Sequence, residues 1–164
     1  MSNTVSHHVI GPDSGEVLGP PEGVRDRFLV GHDETAGRFA LVEHLLAPHA
    51  LAAPVHRHSR EDEYSFVVSG VVGIALGDDV VTVRPGDLVY KPRGQWHTFW
   101  NAGDQPARML DTISPGGLEE LFRPLDLMPE FPGEDTLTRL AADYGCDLDF
   151  GATAGLVERL DLRF

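Results

Sequence analysis

Between Arg38 and Ile113 the chain is cut into short runs rich in Val, Leu, Ile, Phe and Tyr, with a turn signal every six to ten residues. The runs are Arg38 to Ala47, Tyr64 to Val68, Val71 to Leu76, Val80 to Val83, Leu88 to Lys91, Trp96 to Trp100 and Ala107 to Ile113. Ser69-Gly70, Gly77-Asp78-Asp79, Pro85-Gly86-Asp87, Pro92-Arg93-Gly94 and Ala102-Gly103-Asp104 stand between them. Proline at one central turn position and glycine at the next, as in Pro85-Gly86, suit a type II turn. Many short strands with no helical pattern between them predict an antiparallel sandwich or barrel, and exclude a parallel α/β sheet.

The character changes after Ser114. Ser114-Pro115 reads as an N-cap and first-turn pair, and Leu118, Leu121, Phe122 and Leu125 share one helical face. After a break over Pro129 to Pro132, Leu137, Leu140, Ala141 and Tyr144 repeat at helical spacing, and Gly145 is placed to stop that helix. These helices are expected to cover one end or side of the barrel, with Cys146 to Phe164 as a docked tail. A length of 164 residues suits one core. No stretch approaches the roughly 18 apolar residues of a membrane helix, and the first twenty residues lack a secretory pattern, so a cytoplasmic location is expected. The single cysteine, Cys146, permits no intrachain disulfide and is expected to be structural. A formal charge of −13 repels phosphate backbones and anionic lipid, which argues against nucleic acid or a membrane as partner.

His56-Arg57-His58-Ser59-Arg60-Glu61-Asp62-Glu63 carries the most chemical information. Histidines two apart on an extended strand project from one face, so both ring nitrogens can reach one ion at about 2.0 to 2.2 Å. A carboxylate just beyond can add a third ligand. Among eight histidines such a pair also arises by chance, so on its own it leaves the metal reading open. A second pattern, Gly86-x5-Pro92-x-Gly94-x2-His97-x3-Asn101, lies one hairpin later.

Together these patterns closely resemble the cupin superfamily, whose motifs are G-x5-H-x-H-x(3,4)-E-x6-G and G-x5-P-x-G-x2-H-x3-N. The second matches at every position; in the first, His56, His58, Glu63 and Gly70 fall in place, while Ala50 replaces the leading glycine. The resemblance implies an all-β double-stranded β-helix, a jelly-roll barrel over residues 31–114, with an N-terminal arm (1–30) and a C-terminal helical extension packed on it (115–164). It implies one divalent transition metal ion, iron, manganese, nickel, copper, cobalt or zinc, held by His56, His58, Glu63 and His97. Dimers are common in the family, so a homodimer is expected. Glu61 and Asp62 are read as loop acids, one of which could orient a ligand histidine. His7, His8, His32, His44 and His49 take the ordinary surface or packing reading. Strand alternation sends Phe99 to the ligand side and Trp96 and Trp100 to the other, while Ser65 and Val67 share the parity of Glu63. Ser65, Val67 and Phe99 are therefore the candidate substrate-pocket residues.

Four protein ligands leave an octahedral ion two open positions. The first functional reading is a mononuclear dioxygenase resembling the quercetinase-like cupins, acting with molecular oxygen on an aromatic, flavonol-like or enol/diketone small molecule, with Glu63 also moving protons. The second keeps the ion as a Lewis acid for isomerisation, cyclisation or decarboxylation. The third is a non-catalytic small-molecule binder.

Overall fold

The computed structural model describes residues 9–130 and 132–164; His7 and His8 lie outside these. In chain order the elements are β1 (Glu16–Leu18), β2 (Val24–Val30), a 3₁₀ turn (His32–Thr35), β3 (Ala40–Leu46), β4 (Val55–His58), β5 (Asp62–Ser69), β6 (Val72–Leu76), β7 (Asp79–Val83), β8 (Leu88–Lys91), β9 (His97–Asn101) and β10 (Ala107–Ser114). There follow α1 (Glu119–Asp126), α2 (Glu134–Asp143), β11 (Cys146–Asp149) and α3 (Phe150–Leu160). Two antiparallel sheets, ordered β1-β2-β3-β10-β5-β8 and β11-β4-β9-β6-β7, form the double-stranded β-helix.

Strand alternation sorts the side chains. Along β10, Ala107, Met109, Asp111 and Ile113 are buried and the residues between them are not. Met109 and Ala107 meet Leu46, Val67, Val72, Ile74, Val89 and Phe99 from both sheets in one apolar core. This core fills one end of the barrel. At the other end Leu118, just before α1, and Leu121 of α1, with Ala141 of α2, pack against Phe28, Ala40, Val42 and Ile113 of the six-stranded sheet, and Leu137 of α2 is buried as well. On the outer face of the five-stranded sheet, Leu156 of α3 and Leu162 pack with Leu51, Ala75 and Trp100.

Several boundaries differ from the sequence expectation for physical reasons. Residues 16–30, expected in an arm, supply two strands that extend the six-stranded sheet through pairing of β2 with β3. Ser114 is the last residue of β10 rather than an N-cap, because its backbone still pairs with Asp62. The helix starts at Glu119, whose carboxylate accepts from the backbone N–H groups of Gly117 at 2.6 Å and His32 at 2.8 Å. The tail holds a strand and a helix, and β11 pairs with β4 so that Cys146 faces His58 and Leu148 faces His56. The strand carrying two candidate ligands is thus flanked on both sides. Among the described residues no helix is long and apolar enough to cross a membrane.

Among the glycines at points of close approach, two sit in the β5–β6 segment of the barrel wall. Gly73 lies beneath the Trp100 ring, and Gly70, at φ +81°, would place a Cβ 2.6 Å from the Ala107 backbone. Gly70→Ala therefore combines left-handed strain with a backbone clash. It should lower unfolding stability by about 1 to 3 kcal/mol, read from the chemical denaturation midpoint; an unchanged midpoint would refute this role for Gly70.

Candidate metal centre

β4 presents His56 and His58, and β9 brings His97 opposite His56 in register. The three rings are mutual neighbours, with centroids 4.4 to 4.9 Å apart. Their nitrogens lie close enough together to hold one metal ion. Two of the rings are oriented by main chain rather than by acids: His56 Nδ1 donates to Pro54 O at 2.7 Å and His97 Nδ1 to Gln95 O at 2.9 Å. Each of these bonds leaves Nε2 with its lone pair free for a metal. Burial, reinforced by the neighbouring histidines, holds His56 well below the usual imidazole range, and burial brings His58 down to about 4. Both are therefore neutral near pH 7, as metal ligation requires.

Glu63 on β5 points into the same space from the other sheet. Its Oε2 lies 3.3 Å from His97 Nε2 and its Oε1 lies 3.8 Å from His58 Nε2. The first pair does not make a hydrogen bond, since His97 Nε2 is buried without a partner. Two ligands of one ion at about 2.1 Å and at right angles sit about 3 Å apart, so the spacing suits a shared cation. The donor set fits a divalent transition metal, with three imidazole nitrogens and a carboxylate oxygen.

Sequence reasoning missed what stands behind Glu63. Register pairs Glu63 with Lys91, whose ammonium is fully buried and contacts Glu63 Oε2. Lys91 Nζ also donates to Asp111 Oδ2 at 3.0 Å and lies 4.9 Å from the centre of the Phe99 ring. Asp111 Oδ2 is 3.5 Å from His44 Nε2, and His44 Nδ1 is 2.6 Å from Asp26 Oδ1. Glu63, Lys91, Asp111, His44 and Asp26 thus form a buried row of alternating charge. Burial alone would depress the His44 imidazolium, but Asp26 and Asp111 raise it to about 10. Burial likewise opposes ionisation of Glu63, and Lys91, His58 and His97 overcome it, holding the carboxyl well below its usual range. Inward parity with Val89 was the one available sequence signal for Lys91.

A cavity of about 610 Å³ opens from this centre toward α1 and α2, with Phe99, Leu121, Phe122 and Leu125 among its apolar walls. His44, Asp26 and Asp126 add a polar stretch to the wall. Burial, with Asp26 adding to it, raises the Asp126 carboxyl to about 7, and its Oδ2 has no hydrogen-bond partner. Of the candidate pocket residues, Phe99 is in the cavity wall. Ser65 is fully buried and donates to Asp111 Oδ1 at 2.8 Å, and Val67 belongs to the apolar core. Neither loop acid orients a ligand histidine: Asp62 pairs with Arg93, and Glu61 Oε2 is buried without a partner. His44, read as surface or packing, is a wall residue tied to the charge row. His49 is 3.1 Å from Asp104 at the surface and His32 binds Glu119, both away from the three rings. Burial pushes the Cys146 thiol up to about 12, consistent with an inert structural residue.

Residues 42–113 match the family model described as the Cupin domain. The chain is 28% identical to the tetracenomycin polyketide synthase protein TcmJ of Streptomyces glaucescens over 116 residues, which is 70% of this chain and 69% of that protein. It is 39% identical to a gentisate 1,2-dioxygenase of a Streptomyces species over 62 residues, 37% of this chain and 17% of the dioxygenase. The solved structure of the polyketide cyclase RemF from Streptomyces resistomycificus shares the fold with a TM-score of 0.59 at 24% identity, covering 80% of this chain and 91% of RemF. The domain match and the fold support the cupin superfamily.

His58→Ala or His97→Ala should abolish tight binding of nickel or cobalt in calorimetry, because each removes one of three convergent nitrogens. His49→Ala should bind as the parent does; equal metal affinity in all three variants would refute the assignment.

Proposed function

We propose that the protein is a metal-dependent enzyme that cyclises or isomerises a polycarbonyl, polyketide-like small molecule, with the ion held by His56, His58, Glu63 and His97. The observation that carries this reading is the continuity of the histidine cluster with a large, mostly apolar cavity that has an acid–base group, Asp26, His44 and Asp126, in its wall. The identity to a polyketide synthase protein over 70% of the chain supports the same substrate class. A bound divalent ion supplies Lewis acidity, lowering the pKa of a carbon flanked by two carbonyls.

The chain's own residues account for the protons. Glu63, ionised at neutral pH, accepts the proton leaving that carbon. The apolar walls exclude water and fold the substrate so that the carbanion meets a second carbonyl carbon. As the new carbon–carbon bond forms, that carbonyl oxygen takes a proton from the Asp126 carboxyl. One proton leaves carbon and one arrives on oxygen, so the product is an isomer and no oxidant is consumed. Return of the proton from Glu63 to Asp126 through solvent completes the cycle.

A dioxygenase is the second reading, favoured by the 39% identity to gentisate 1,2-dioxygenase across the stretch they share. Turnover without oxygen separates the two. Product forming from a linear poly-β-ketone at an undiminished rate under argon supports cyclisation, and loss of turnover under argon overturns it. With Asp126 as proton donor, the rate should fall as pH rises through about 7, where its carboxyl ionises. Asp126→Asn should remove that limb and lower kcat by about 100-fold.

The outer face of β5 and β8 exposes Tyr64, Phe66, Val68, Leu88 and Tyr90, with Tyr64 stacked on Tyr90. This apolar row supports a homodimer. Light scattering should give twice the 17.9 kDa chain mass, and Phe66→Lys should return the monomer; a monomeric parent would refute it.

A further inference from the structure

Lys91 has no role in the cyclisation just described, yet it is the most completely buried cation among the described residues and touches a proposed ligand. Its position follows from the fold. β8 is an edge strand whose inward residues are Val89 and Lys91, and pairing with β5 places Lys91 directly opposite Glu63. The ammonium is enclosed by Glu63, Asp111 and the Phe99 ring, and Asp111 is in turn held by Ser65 and His44. Nothing in this arrangement lets the ammonium swing to solvent.

We infer that Lys91 is a positioning residue that competes with the metal ion for the Glu63 carboxylate, keeping the ion weakly held and strongly Lewis acidic. This inference rests on the metal reading above. Glu63 Oε2 is the oxygen nearest His97 Nε2 and also the oxygen that Lys91 contacts, so the two cations draw on one atom. A carboxylate already paired with a cation donates less charge to a second one, and the two cations repel across a few ångströms of low-dielectric interior. Three neutral imidazoles and an uncompensated carboxylate would leave a divalent ion at about +1. With Lys91 sharing the carboxylate, the ion's effective charge moves toward +2. Such a centre favours anionic, doubly oxygenated ligands such as β-diketone enolates over neutral ones.

The test uses cobalt(II) alone as probe, with affinity from competition calorimetry and coordination from visible absorption. Lys91→Met should bind cobalt about tenfold more tightly than the parent, or better, and alter its absorption as Glu63 becomes a full ligand. Glu63→Gln should weaken binding more in the Lys91→Met background than in the parent. Because Lys91→Met leaves Asp111 short of a partner, Lys91→Met/Asp111→Asn removes the ion pair together and should show the same gain. An affinity unchanged or lowered in the Lys91 variants, with the parent binding cobalt normally, overturns the role of Lys91 and leaves the cyclase reading standing. A parent that binds no cobalt overturns the metal reading itself.

Discussion

The ion pair between Lys91 and Glu63 is the constraint around which the interior is arranged. An isolated ammonium or carboxylate taken out of water loses several kcal/mol or more of solvation, which only a close and well-bonded partner offsets. Lys91 is fully buried, so its charge must be answered inside the barrel. Glu63 and Asp111 answer it. Two carboxylates around one ammonium leave an excess negative charge, and His44 enters next in the row, with Asp26 beyond it. The alternation of sign is a consequence of burial: each added charge lowers the energy of the one before it, until the row reaches Asp26 and Asp126 in the cavity wall.

That row also explains why the barrel has two unlike ends. Below the charged layer Val67, Val72, Ile74, Val89 and Met109 pack without polar atoms and close the barrel. Above it the sheets stay apart, and α1 and α2 supply the apolar cover. A cavity therefore remains between a charged floor and a greasy roof. Its rigidity comes from elements outside the barrel proper. β11 gives β4 a second hydrogen-bonded neighbour and is backed by α2, and α3, capped by Asp149 at its N-terminus, packs against β4 itself, where Thr153 accepts from the Val55 backbone at 2.9 Å. The C-terminal segment thus fixes the strand that carries His56 and His58.

What was legible in the sequence was whatever depends on local spacing. Turn dipeptides marked most strand ends, the HxH spacing placed two rings on one side, and strand parity put Phe99 in the cavity wall. The placement of Ser65, Val67, His44 and Lys91 was not legible, because it depends on which strands become neighbours. Parity told that Ser65 faces inward, but not that Asp111 would face it across β5 and β10 and take its hydroxyl. His44 read as an ordinary strand histidine, since Asp26 is 18 residues away and lies in a segment with weak strand signals. The second-layer acids failed for a related reason: Pro54 and Gln95 are each two residues before the histidine they orient, and their carbonyls reach the rings before any side chain can.

The proposed cyclisation places the weight of the chemistry on the protons around the ion rather than on the ion itself. The Asp126 carboxyl is half-buried in the cavity wall, burial and Asp26 raise it to about 7, and its buried Oδ2 has no hydrogen-bond partner, which lowers stability. Perturbed carboxyls cluster at functional sites, which is the ground for proposing Asp126 as the proton donor. Ring closure of a polycarbonyl needs two proton-handling sites separated by the length of the folded substrate, one beside the acidified carbon and one beside the carbonyl that is attacked. In the proposed cyclisation, Glu63 at the charged floor and Asp126 in the wall would meet that need, and the apolar surface between them would hold the chain in the bent shape from which the ring closes.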